Sequence, residues 1–257
     1  MRENNRDKIQ KNVQDNIVDI LLTFSFISRL PIKLKDLPDW KERTKKIPAY
    51  FPLVGYVPGF IYALGSFLTL RLGIIAPVLS LIFGFYYFDL FHFDGLLDTL
   101  DGFLNQSSKE KRLEIMSKGN VGPFAVFYGV LYVIIFWELF NQIPFYYLLF
   151  GSVFGRYAMD VVLLFSKPAK SQGLGAILFP FEKSLLIPAT VLTTPLAFLG
   201  IKEYITSLIL SWITGFIISK ISERQIGGIT GDVLGGSCLL TQLAILLTIG
   251  YVVNYVR

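Results

Sequence analysis

Asp94, Asp98 and Asp101 fall at i, i+4 and i+7 in the stretch from His92 to Gly102. On a helix turning about 100° per residue they project from nearly one face. Phe93, Leu96, Leu97, Leu100, Phe103 and Leu104 occupy most of the rest. Like charges so stacked repel, and at the end of an apolar run they are also costly to desolvate. Hard oxygen ligands at this spacing suit Mg²⁺, which binds through a few carboxylates, waters and substrate phosphates. The plainer alternative is that the apolar run ends near Phe91 and the acids simply face water. His92 is the one histidine of the chain, so a His-based zinc site is excluded. It is a candidate general base, a phosphate donor or an interfacial polar residue.

A second stretch runs from Gly227 to Gly236 and contains Gly228, Thr230, Gly231 and Asp232. Gly227, Gly231 and Gly235 recur every four residues, a pattern that lets membrane helices approach closely. Packing accounts for the glycines but not for Asp232, an acid at the mouth of an apolar helix. Flexible backbone with free N–H groups leading into a helix also suits a phosphate. Lys118 to Phe124 is a third candidate, readable equally as a turn that opens the next helix. Arg156 lies within an apolar run and needs a carboxylate or a phosphate; Asp160 at i+4 offers a structural pairing that competes with a substrate contact. Arg29-Leu30-Pro31 and Tyr50 to Gly55 read as membrane-entry turns or as further parts of a site on the same face.

The elements that must position these residues are membrane helices. Of 257 residues 53% are hydrophobic and 17% charged, with positive mean hydropathy, which makes a soluble globular fold unlikely. Apolar stretches near the length that crosses about 30 Å of hydrocarbon recur. They lie at about 50 to 70, 73 to 91, 121 to 140, 143 to 165, 184 to 200, 204 to 221 and 233 to 256. The pattern predicts an all-α polytopic membrane helix bundle with about seven transmembrane helices, six or eight being the neighbouring counts. Residues 1–16 form a polar N-terminal segment, and the run from Ile17 to Ile27 is short for a span. It reads as an interfacial or re-entrant helix, without the small-residue site that would mark it for removal. With no soluble domain, internal repeat or low-complexity tract, residues 1–257 read as a single integral membrane domain.

Net charge is +5, and with the N-terminus inside, 20 of the 24 Lys and Arg fall on one side. That asymmetry predicts a cell-membrane protein whose N-terminus and acidic, glycine-rich motifs are cytoplasmic. Topology and anionic lipid explain the basic balance, so no nucleic-acid partner is expected. Cys238, the single cysteine, reads as a small packing residue. Nothing in the sequence sets an oligomeric state.

On these residues the chain resembles the cobalamin synthase family, the adenosylcobinamide-GDP ribazoletransferases, from its N-terminal third to its C-terminus. The likeness is carried by Arg29-Leu30-Pro31, Tyr50 to Gly55, His92 to Gly102, Val121 to Phe124, Gly155-Arg156 with Gly173-Leu174-Gly175, and Gly227 to Gly235. It implies a Mg²⁺-dependent membrane enzyme that joins adenosylcobinamide-GDP to α-ribazole or its 5′-phosphate and releases GMP. A ribose hydroxyl would attack the phosphate on the cobinamide side, and the protein would mainly position groups and neutralise charge. The resemblance implies metal ligation by Asp94, Asp98 and Asp101 with Asp232, and a proton acceptor among these acids or His92. Arg29, Arg156, Lys170, Gly228, Thr230 and Gly231 become candidates for substrate contacts. The chain departs from many members at Lys118, Asn120, Leu239 and Gln242. The CDP-alcohol phosphotransferases are an alternative, but their Ala-Arg pair is replaced by Gly102-Phe103-Leu104-Asn105, and their further acid is missing. A membrane transporter with an acidic site would place its polar groups near the midplane and often repeat its halves.

Overall fold

The computed structural model describes residues 2–34, 37 and 39–252. Lys35, Arg257 and the stretch 253–256 of the last expected span lie outside the described residues. The chain folds as helices α1 (Arg2–Ile27), α2 (Ile47–Leu72), α3 (Ile75–Leu104), α4 (Lys109–Ser117) and α5 (Pro123–Gln142). Then follow α6 (Tyr147–Leu164), α7 (Lys183–Phe198), α8 (Ile201–Ile226) and α9 (Gly231–Tyr251). Six of these, α2, α3, α5, α6, α8 and α9, are long and apolar enough to cross a membrane. This is a helical membrane bundle.

Three expectations change. The stretch expected to span at about 184 to 200 is the short helix α7, which at 1.5 Å per residue reaches only about 24 Å. Proline at 188 and at 195 punctuates it, and its second part winds as a 3₁₀-helix. The polar segment before Ile17 is helical too: α1 begins at Arg2, because residues 2–16 contain neither glycine nor proline to stop it. Finally, α3 does not end near Phe91. It continues through a π-helical turn at Phe85–Asp89 to Leu104, so all three aspartates stand on it.

Burial identifies the centre. In the most apolar stretches of α6 and α9 89% and 72% of the residues are buried, against 28% to 39% in those of α2, α3, α5 and α8. The outer helices turn Phe60, Leu64 and Phe67, or Ile205, Ile209 and Ile213, outward, as lipid-facing helices do. Small residues let the centre close up: a Cβ on Gly155 of α6 would come 2.6 Å from the Cys238 carbonyl of α9.

The two ends of the bundle are fixed by a few contacts. At one end the Tyr147 hydroxyl donates to Glu203 at 3.1 Å, so α6 and α8 start side by side. Beyond their other ends Pro168 pairs with Ile229 in an isolated β-bridge. The two helices therefore run parallel, and α7 carries the chain back between them. On the bridge side Arg43 ties α1 to the start of α2, pairing with Asp15 at 2.5 Å, Asp19 at 2.8 Å and Asp39 at 2.9 Å.

Candidate active site where α3 crosses α9

Helices α3 and α9 meet over glycine. A Cβ on Gly95 would lie 2.7 Å from the Asp232 carbonyl oxygen and 2.9 Å from its Cα. One on Gly235 would lie 3.1 Å from the His92 Cα, and one on Gly236 3.2 Å from the Leu96 Cα. With no side chains between them the backbones touch, and the first turn of α9 sits on the turn of α3 that carries the acids. Asp98, half-buried on α3, interacts electrostatically with Asp232, Asp94 and Asp101.

The glycines expected for packing or for phosphate thus do different work. Gly227 ends α8 in the left-handed region at φ 82°, where a side chain is strained. Gly228 lies against the Lys167 carbonyl and the Ala169 N–H, which lets Ala169 donate to Ile229 and Ile229 to Lys167, both at 2.9 Å. Gly231 packs under Leu174 of the α6–α7 loop. Thr230 caps α9: its hydroxyl accepts from the Val233 N–H at 3.3 Å and donates to Asp232 Oδ2 at 3.0 Å.

A cavity of about 380 Å³ opens at this crossing. Its walls are Phe26 and Ile27 from α1, Phe91, His92 and Asp94 from α3, the loop from Lys170 to Ala176, and Thr230, Gly231 and Asp232 at the start of α9. Sequence positions from 26 to 235 converge there, and charge of both signs meets apolar wall. Arg29 stands at the margin, its guanidinium 4.6 Å above the Tyr86 ring and 5.7 Å from Phe91.

Of the expected residues, Arg29, Asp98, Asp101, Arg156 and Gly228 are not part of the cavity wall, and Asp101 and Arg156 are instead tied into the helix packing. Asp101 is buried, and its oxygens accept from the Gly122 N–H at 2.5 Å and the Ala125 N–H at 3.0 Å. It anchors the N-terminus of α5 from another helix, where a negative charge is favoured. Asp101→Ala is expected to destabilise the protein by roughly 1–2 kcal/mol, as loss of a helix cap does. Thermal unfolding in lipid checks this, with Asp101→Asn falling in between. Arg156 is fully buried, and its partner is neither Asp160, the structural alternative, nor a group of the cavity wall. It donates to Asp89 Oδ1 at 2.8 Å, to the Phe88 carbonyl at 3.3 Å and to the Ser152 carbonyl at 3.2 Å. The i+4 carboxylate lies along α6 itself, whereas Asp89 reaches in from α3 and meets the guanidinium across the helix interface. Asp89 was missed in the sequence although a signal was there: it is an acid inside an apolar run, where an unpaired charge is expensive.

Among the described residues no group of three or more His, Cys, Asp or Glu side chains is gathered closely enough to hold a metal ion by itself. Asp94 and Asp232 nevertheless both face the cavity, with Asp98 close by. Mg²⁺ keeps waters and takes one or two carboxylates together with substrate phosphates, so two wall carboxylates are as many as it needs from the protein.

The comparisons with known proteins agree with this geometry in what they match. The model of the Cobalamin-5-phosphate synthase family matches residues 19–250, which include every segment lining the cavity. An adenosylcobinamide-GDP ribazoletransferase of Fervidobacterium nodosum is 68% identical over 94% of this chain and 100% of its own length. Proteins of the same name from Thermosipho melanesiensis and Treponema denticola are 51% and 32% identical, over 92% and 89% of this chain and 100% and 95% of their own. No solved structure matches. A family match that covers the crossing of α3 and α9 and the loop above it leaves one conclusion: the chain belongs to the Cobalamin-5-phosphate synthase family, as a transferase of cobalamin synthesis.

Proposed function

We propose that the chain joins adenosylcobinamide-GDP to α-ribazole or its 5′-phosphate, releasing GMP, in the cavity between α3 and α9. The observation that carries this reading is the convergence of Asp94, His92, Lys170, Thr230 and Asp232 on one cavity from three separate segments. The segments 105–122 and 166–182, which carry Lys109, Lys111, Arg112, Lys118, Lys167 and Lys170, lie at the same end of the bundle as the cavity, and this basic end supports a cytoplasmic face of the cell membrane.

Pyrophosphate exchange needs positioning and charge neutralisation more than covalent help. Asp94 and Asp232, the two carboxylates on the cavity wall, would hold Mg²⁺ together with waters and substrate phosphate, with Asp98 beside them. Bound there, the ion supplies positive charge for the pyrophosphate and the departing GMP oxygen. Lys170 offsets phosphate charge, and the N-terminus of α9, whose Gly231 and Asp232 line the cavity, favours an anion there. His92 accepts the proton of the attacking ribose hydroxyl. Phe26 and Phe91 offer apolar wall to the uncharged parts of the substrates.

Incubation of the purified protein in vesicles with adenosylcobinamide-GDP, α-ribazole and Mg²⁺ tests this. GMP and the completed corrinoid should appear in equal amounts, and α-ribazole 5′-phosphate should give the phosphorylated product. No GMP, or GMP without a new corrinoid, overturns the proposal.

A further inference from the structure

One turn before the acidic triplet, a buried polar cluster backs the cavity wall. Asp89 closes the π-helical turn Phe85–Asp89 and is fully buried. Its Oδ1 accepts from Arg156 of α6 at 2.8 Å and its Oδ2 from the Tyr62 hydroxyl of α2 at 2.5 Å. The same Oδ1 lies 3.6 Å from His92 Nδ1, an atom with no hydrogen-bond partner. On its other side the backbone of Gly235 comes close, since a Cβ there would lie 3.1 Å from the His92 Cα. Turns of this kind occur often at functional sites in helices, and here the turn's Phe88 carbonyl also accepts from Arg156.

We infer that Asp89 is a positioning residue for His92, holding the ring with Nδ1–H toward the carboxylate and leaving Nε2 for the cavity. This rests on the reading of His92 as the acceptor of the ribose proton. A neutral imidazole has one donor and one acceptor nitrogen, so a carboxylate at Nδ1 decides which nitrogen receives a proton. Arg156 makes an ionised Asp89 tolerable inside the bundle, and Tyr62 fixes the second oxygen. The assembly thus takes one residue each from α2 and α6 and two from α3.

A merely structural role for Asp89, as the counter-charge of Arg156, predicts different numbers. Under our inference Asp89→Asn lowers kcat by about 10- to 100-fold, as loss of a supporting partner commonly does, with KM for either substrate changed less than about twofold. In the His92→Ala enzyme the same substitution changes kcat by less than about twofold, because residues acting through one another are not additive. Asp89→Asn with Arg156→Gln removes both buried charges, which keeps the inference testable should the single variant fail to fold, and it should show the same loss of kcat. Wild-type kcat in either folded variant overturns the inference. So do losses from His92→Ala and Asp89→Asn that multiply. A wild-type protein that forms no GMP overturns the underlying reading of the reaction as well.

Discussion

Asp232→Ala is expected to lower kcat/KM for GMP release by roughly 10²- to 10³-fold, the loss typical of removing a group that acts on transition-state charge. The case is geometric. Asp232 occupies the first turn of α9, its backbone is pinned by Gly95, its Oδ2 is held by Thr230, and it lines the cavity. A side chain fixed on three sides loses little conformational freedom when it engages a ligand, so its charge works at full strength there. Asp232→Asn keeps the bond from Thr230 and the shape while removing the charge, so it should lose nearly as much. Asp98→Ala should behave in the same way and raise the Mg²⁺ concentration needed for half-maximal rate. Glu114 provides the control. It lies on α4, away from the cavity, and its carboxyl is held down at about 2 by hydrogen bonds from Lys118 and Lys111. Glu114→Ala should leave GMP release within about twofold of wild type, the usual outcome for an exposed ion pair. GMP release unchanged in both Asp98→Ala and Asp232→Ala would defeat the site assignment.

Gly95→Ala should be nearly as damaging without touching a charge. The added methyl would sit 2.7 Å from the Asp232 carbonyl oxygen and 2.9 Å from its Cα. Both are backbone atoms, so no side chain can turn aside and one helix must move. Overpacking of this kind costs about 1–3 kcal/mol of stability. A shift near 1 Å between α3 and α9 separates Asp94 from Asp232, and misplacement on that scale can lower kcat about 10²-fold. Gly129→Ala is the matched comparison: its methyl would meet Leu97 Cδ2 at 2.5 Å, the mobile end of a side chain that can rotate away. Activity of the two variants in the same vesicles, with unfolding temperatures, checks the prediction. Equal and small losses would show that the crossing tolerates separation and that the acids need not be held by it.

Much of this arrangement was written locally. The i, i+4, i+7 spacing of Asp94, Asp98 and Asp101 placed them on one face of a helix, because a helix repeats every 3.6 residues whatever surrounds it. Apolar run length marked the long helices, and the short run at 184 to 200 marked α7, though its reach falls short of the expected span. What failed were inferences that assumed a near neighbour. Arg156 was left between a substrate contact and a pairing with Asp160 one turn away, yet it pairs with Asp89 at 2.8 Å, 67 residues away. Asp101 was grouped with the other acids, yet its oxygens take N–H groups from the start of α5. The polar opening of α1 was read apart from the helix it begins.

The sequence by itself determined the class of molecule and its chemistry: apolar stretches that seek the bilayer, basic residues gathered to one side, and carboxylates at helical spacing beside glycines. Those properties depend on residue type and on distances of a few positions, which no tertiary contact can alter. Only the tertiary structure decided which carboxylates share the cavity, which one anchors a neighbouring helix, and that Asp89 stands behind His92. The first two are meetings between segments far apart in the chain, and Asp89, one turn from His92 on α3, is held there by Arg156 of α6 and Tyr62 of α2, because no local spacing fixes which helices pack together.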